Sequence, residues 1–265
     1  MKLIKYLILF SILFIISFTY INRSSAQSLL NTSDYKKDFA EANKLYNEHQ
    51  YFKAIDYYKK IINKGLNNGY LYYNLGNAYL KNDQIGKAIL NYQNALIYQP
   101  RNVDIKTNLQ YALDETKDQF STEETIEPIL QILIFWYYNL NITELIIITL
   151  LSNLIMCTGF IYQFFNSNNI LKISNYILLT IFIVLFTSTM IKIYNNYNVS
   201  EGVVVIKETD IKSGYDDSYA TVFKLHEGTI FKISEIKGNW YKILLSNGQK
   251  GWINKNSIGL VNSHT

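Results

Sequence analysis

The sequence predicts a multidomain membrane protein: an all-α repeat segment, a two-helix transmembrane hairpin and a small all-β barrel, in that order. Three observations carry this. Two apolar runs, residues 142–165 and 173–194, are separated only by residues 166–172, and each is close to the ~20 residues a helix needs to cross the hydrocarbon core. Upstream of them a helical apolar pattern recurs with Ala54 and Ala88 in equivalent places, a step of 88 − 54 = 34 residues. Downstream, short alternating apolar runs are broken by turn residues such as Asn247-Gly248, a hairpin signal.

The composition agrees with several small units rather than one large core. Of 265 residues, 49% are hydrophobic and 17% charged, and long apolar runs alternate with polar stretches, as in a membrane protein with soluble flanks. The net charge of +4 is scattered, and no Lys/Arg block forms a nucleic-acid patch, so nucleic acid is set aside. Cys157 is the single cysteine, which excludes a disulfide within the chain. His49, His226 and His264 lie far apart, so neither a metal site nor a cofactor is expected.

Residues 1–26 read as a secretory signal: Lys2 and Lys5 precede an apolar stretch, residues 6–21, and Ser24-Ser25-Ala26 supplies a small-x-small end. An uncleaved anchor is the alternative. Either places Gln27 onward outside the cytoplasm.

Residues 27–115 are the repeat segment. The second copy carries Leu75-Gly76, Tyr79, Ala88, Tyr92, Ala95 and Pro100; the first carries Ala42, Leu45, Tyr46, Ala54, Tyr58 and Ile61, with Leu66 in place of the proline. Small residues let two helices approach and the tyrosines fill the space beside them. This pattern and its period resemble the tetratricopeptide repeat. Val103 to Glu115 reads as a closing helix. Two repeats and a cap fall below the roughly three units a free-standing array needs, so support from the membrane segment or a partner is expected. The resemblance implies a ligand-facing surface on the first helix of each repeat, at Asn43 and Asn77 and at Asn74 and Asn108, each pair one 34-residue step apart. Amides donate and accept at once, so this ladder suits the backbone of an extended peptide; the same residues also fit the plain repeat consensus. The basic residues with which such domains clamp a C-terminal carboxylate are absent: Phe39, Asp104 and Asn108 stand there.

Residues 116–141 read as an acidic linker, with Glu123, Glu124, Glu127 and Pro128, followed by an apolar helix, residues 129–138. Its Trp136, Tyr137 and Tyr138 fit a membrane interface; docking beneath the repeats is the alternative. The spans follow, with residues 166–172 as a cytoplasmic loop carrying Lys172. Asn153, mid-span, is expected to face Thr180 and Thr187 across the hairpin. No charge lies deep in either span, which disfavours a channel or proton path.

Residues 199–262 form the barrel. Ile211-Lys212-Ser213-Gly214, Leu225-His226-Glu227-Gly228-Thr229, Trp240-Tyr241-Lys242-Ile243 and Gly251-Trp252-Ile253 follow the motif order of a bacterial SH3 domain, which they resemble, with Tyr215 replacing the usual proline. Some members of that class bind cell-wall peptides or glycans in an aromatic groove, which here implies Tyr215, Tyr219, Trp240 and Trp252. A barrel this small also needs large residues to close its core, and core is the favoured place for both tryptophans.

No G-x-S-x-G, H-E-x-x-H or phosphate-cradling loop occurs, and the neighbouring carboxylates Asp216-Asp217 and Glu123-Glu124 lie in turn and linker. An enzyme is not expected. The whole order, signal, repeats, hairpin and barrel, resembles the aerotolerance-associated Bat family, in its combination of tetratricopeptide and SH3 domains. That resemblance implies an inner-membrane accessory protein working with membrane-anchored von Willebrand factor A-type proteins. The expected function is an extracytoplasmic protein-binding scaffold, with cell-wall binding through the barrel as the alternative.

Overall fold

The structure, a computed structural model, describes residues 32–118, 134–166, 168–198 and 201–261. The signal segment, most of the acidic linker and the start of the apolar helix expected at 129–138 lie outside these residues. The chain divides into two compact units: the helical segment and barrel together, and the apolar helices.

Five helices open the first unit: α1 Thr32–Asn47, α2 Tyr51–Asn63, α3 Gly69–Lys81, α4 Ile85–Tyr98 and α5 Val103–Asp114. Their construction repeats at 34 residues. The turns within each helix pair place His49 and Asp83 at positive φ, 59° and 55°. Asn68 caps α3 by accepting from Leu71 N, and Asn102 caps α5 by accepting from Ile105 N, satisfying helix-start donors that would otherwise lack partners. Buried Ala54, Tyr58 and Leu71 recur as buried Ala88, Tyr92 and Ile105.

The barrel contains β1 Glu201–Val204, β2 Glu208–Lys212, β3 Thr221–His226, β4 Ile230–Lys237, β5 Trp240–Leu244, β6 Lys250–Asn254 and β7 Ile258–Leu260. They form one antiparallel sheet in the order β3-β2-β6-β5-β4-β1-β7. Among these strands β2, β3 and β7 are too polar or too short to announce themselves by alternation. The interior is Val204, Ile211, Leu225, Phe231, Tyr241, Ile243, Leu245 and Ile253. Asn247-Gly248 does turn the chain, with Gly248 at φ 84° and Leu245 N bonded to Gln249 O at 2.9 Å.

The short helical segment finds support in the barrel, where the membrane segment or a partner was expected to supply it. Val203 belongs to the core of the helices, with Ile230 and Val261 packed beside it. The close approach depends on glycine: a Cβ on Gly86 of α4 would overlap the Val204 carbonyl oxygen, and one on Gly228 would overlap Thr116 and Ile89. The apolar core of the helices therefore extends onto β1 of the barrel, next to the barrel's own interior.

The second unit holds α6 Phe135–Asn139, α7 Ile142–Phe165 and α8 Asn169–Asn198. Both α7 and α8 are long and apolar enough to cross a membrane. The second helix starts at Asn169, so residues 170–172, expected in the loop, are helical. A capping box starts α7: Asn141 Oδ1 accepts from Glu144 N and Glu144 Oε2 accepts from Asn141 N, each at 2.9 Å. The buried faces of α8 include Asn175, Phe182 and Thr189, seven residues apart, the spacing of left-handed helix packing. Polar links across the hairpin include Thr149 Oγ1 to Thr189 Oγ1 at 2.8 Å and Asn175 Nδ2 donating to the Gly159 carbonyl at 3.0 Å. Thr180 and Thr187, expected opposite Asn153, are exposed and donate instead to carbonyls of their own helix. They lie off the seam that the seven-residue spacing selects. Lys192 holds α6 on α8 by donating to the carbonyls of Tyr137 and Leu140.

Candidate binding surfaces

Pleat parity decides where the barrel's tryptophans go. In β5, Tyr241 and Ile243 point inward, so Trp240, Lys242 and Leu244 point outward. In β6, Ile253 is interior, which turns Trp252 and Asn254 out; Trp252 faces Lys242 across the ladder. Neither tryptophan joins the interior cluster, although they are only 9% and 6% exposed. The expected burial of both tryptophans is met, but in a layer on the outer side of the sheet and not in the barrel interior, because strand alternation fixes the face whatever the size of the residue.

What covers Trp252 is a set of surface side chains. Tyr215 lies edge-on to it, with centroids 5.5 Å apart, and Tyr219 is 6.0 Å from Tyr215. The structure thus brings Tyr215, Tyr219 and Trp252 into one aromatic face. Trp240 lies on the same outer side of the sheet and lines a shallow polar hollow with Asp210, Asp217 and Asn254. Sequence reasoning missed the charged rim. Lys237 Nζ stands 4.7 Å from the Tyr215 ring centre and 5.6 Å from that of Trp252, and Lys242 Nζ is 5.8 Å from Trp252. Glu235 pairs with both lysines, at 3.1 and 3.6 Å; these bonds hold its carboxyl below the usual glutamate range, chiefly through Lys237.

On the helices, the four asparagines come together as two copies of one network. Asn43 Oδ1 accepts from Tyr58 OH (2.6 Å) and Asn74 Nδ2 (3.3 Å). One repeat on, Asn77 Oδ1 accepts from Tyr92 OH (2.7 Å) and Asn108 Nδ2 (2.9 Å). Asn108 also donates to Tyr73 OH at 3.1 Å. The acceptor oxygens therefore serve the fold: they satisfy the hydroxyls of fully buried Tyr58 and Tyr92, whose phenols burial pushes upward in pKa. Among the described residues, the Nδ2 groups of Asn43 and Asn77 make no hydrogen bond, so donors are what this ladder presents.

The junction of helices and barrel has its own polar lock. Asp118, just beyond α5, accepts from His226 N (2.6 Å), His226 Nδ1 (2.8 Å) and Thr229 Oγ1 (2.8 Å). Burial pushes its carboxyl up, but the His226 and Thr229 hydrogen bonds outweigh this and hold it below the ordinary value. Beside it a cleft of about 460 Å³ is lined by Gln93 and Leu113 from the helices and by Glu201, Phe231 and Leu244 from the barrel. No sequence signal marks this junction, since its partners lie more than 100 residues apart. Among the described residues no cluster of His, Cys, Asp or Glu could hold a metal ion.

Residues 212–258 match the family model for the bacterial SH3 domain. The chain is also 30% identical over 72 residues to "Putative N-acetylmuramoyl-L-alanine amidase YrvJ" of Bacillus subtilis (strain 168). That alignment covers 26% of this chain and 14% of the relative's length, so the relative is mostly made of sequence that has no counterpart here.

Proposed function

We propose that the protein is a membrane-tethered cell-envelope binding protein, with the cell wall held on the outer face of the SH3 barrel. The observation that carries this is the aromatic face on the outer side of the sheet, where Tyr215 and Tyr219 stand exposed against the buried Trp252. The bacterial SH3 match supports it. So does the relative's name, which states an amidase of a linkage found in peptidoglycan. The shared core supports a common side: a body whose interior includes both Val203 and Ile89 does not straddle a bilayer. Two spans return the chain to the face it left, and the signal segment reads that face as extracytoplasmic.

The test uses the full chain in lipid nanodiscs, pelleted with purified peptidoglycan sacculi. Wild type is expected to be retained, and Tyr215→Ala, at a ring 48% exposed, to lose about tenfold in affinity, in line with loss of a ring contact worth ~1.4 kcal/mol. Retention unaffected by Tyr215→Ala, or none by wild type, contradicts the reading.

A second reading, the protein-binding scaffold, rests on the Asn–Tyr network repeated at 34 residues. It supports a tetratricopeptide array, and with the module order a Bat-type accessory role beside von Willebrand factor A-type membrane proteins. Under this reading Asn43→Ala and Asn77→Ala remove a co-purifying membrane protein, while retention on sacculi is absent.

A further inference from the structure

The two lysines over the aromatic face say what kind of ligand suits it. Lys237 and Lys242 share a single carboxylate, Glu235, which leaves a formal surplus of one positive charge above Tyr215 and Trp252. All three charged side chains are open to solvent, with side-chain exposures of 46%, 40% and 39% for Lys237, Lys242 and Glu235. An ammonium gains from a ring face, but here the chain's own ammonium groups already take those positions. A cationic ligand would have to displace both. An anionic one would find two donors already converged, 4.7 and 5.8 Å above the rings of Tyr215 and Trp252. Glu235 shows the geometry: one carboxylate reaches both ammonium groups at once.

Resting on the cell-wall reading above, we propose that this face recognises a carboxylate of the peptidoglycan. The carboxylate pairs with Lys237 and Lys242 in competition with Glu235, while the apolar flank of the same ligand lies on the exposed Tyr215 ring. Charge-assisted hydrogen bonds of this kind are the stronger ones, and on an exposed face they weaken with salt. Glu235 then acts as a built-in competitor that sets the affinity.

The experiment compares retention of the full chain in nanodiscs on native sacculi and on sacculi whose carboxyl groups have been converted to neutral amides. Amidation is expected to weaken retention about tenfold, and the double substitution Lys237→Met, Lys242→Met to weaken it equally on native sacculi. Glu235→Gln is expected to tighten it several-fold. Glycan strands stripped of their stem peptides carry lactyl carboxylates that an amide bond masks in native sacculi, so they serve as a second carboxylate probe, expected to be retained by wild type and lost with the double lysine substitution. If the lysine substitutions leave retention unchanged or strengthen it, or if amidated sacculi bind as well as native ones, the carboxylate is not the feature recognised and the proposal falls. Loss through Tyr215→Ala alone would then leave the cell-wall reading standing; no retention by any form removes both.

Discussion

Val203→Asp is expected to unfold the helical array and the barrel together. Val203 is fully buried, sits on β1, and yet belongs to the core formed by α1 to α5. Val203 is 0% exposed among apolar side chains, so an aspartate there is charged in an apolar surrounding or else neutral and poorly paired. Either outcome costs on the order of 4 kcal/mol, a large share of the ~5–15 kcal/mol that holds a domain. Loss of helical circular dichroism beyond that of the two apolar helices reports the array, and in a Trp136→Phe background tryptophan fluorescence reports Trp240 and Trp252. With Val203 in place the two are expected to be lost at one denaturant concentration, and in the variant both midpoints are expected to fall by the same amount. A barrel signal that persists after the helices have melted would show two independent domains, contrary to the shared core.

The second large effect is expected at Asp118. Asp118→Ala removes three accepted hydrogen bonds at once and leaves the hydroxyl of Thr229, which is 2% exposed, only the His226 carbonyl at 2.9 Å. The expected cost is about 2–3 kcal/mol. It also carries a pH signature. Because the folded carboxyl titrates below its ordinary value, the unfolded chain binds the proton more readily. The stabilisation is present in full above about pH 4, the unfolded value, and is lost as pH falls through the lower folded value. Denaturant midpoints measured between pH 6 and pH 2.5 are expected to drop in wild type over the acid end and to drop less in Asp118→Ala. Equal acid sensitivity in both proteins would show that the lock contributes nothing.

Much of this molecule was legible because its signals are local. The 142–165 run is α7 to the residue, with Asn141 and Glu144 making its cap. The repeat step set out by Ala54 and Ala88 also spaces the helix-capping asparagines and the positive-φ turn residues. The outward side of Trp240 was written in the alternation Trp240-Tyr241-Lys242-Ile243; bulk matches the burial of both tryptophans, and parity says on which side of the sheet they lie. What stayed hidden is long-range. Gly86 reads as a weak point in a helix until the Val204 carbonyl is set against it. Val203 reads as an ordinary strand residue until its neighbours prove to be helical. Lys237 and Lys242 read as solvent charges until the strand register stacks them over Tyr215 and Trp252.

The proposed cell-wall role requires that helices and barrel lie outside the cytoplasm. Alkaline phosphatase, which folds to activity only where disulfides form, tests this in intact cells. Fused after Val261 it is expected to be active, and fused at Asn168, between the spans, inactive. Activity at Asn168 with none after Val261 would put the aromatic face in the cytoplasm, where there is no cell wall to bind.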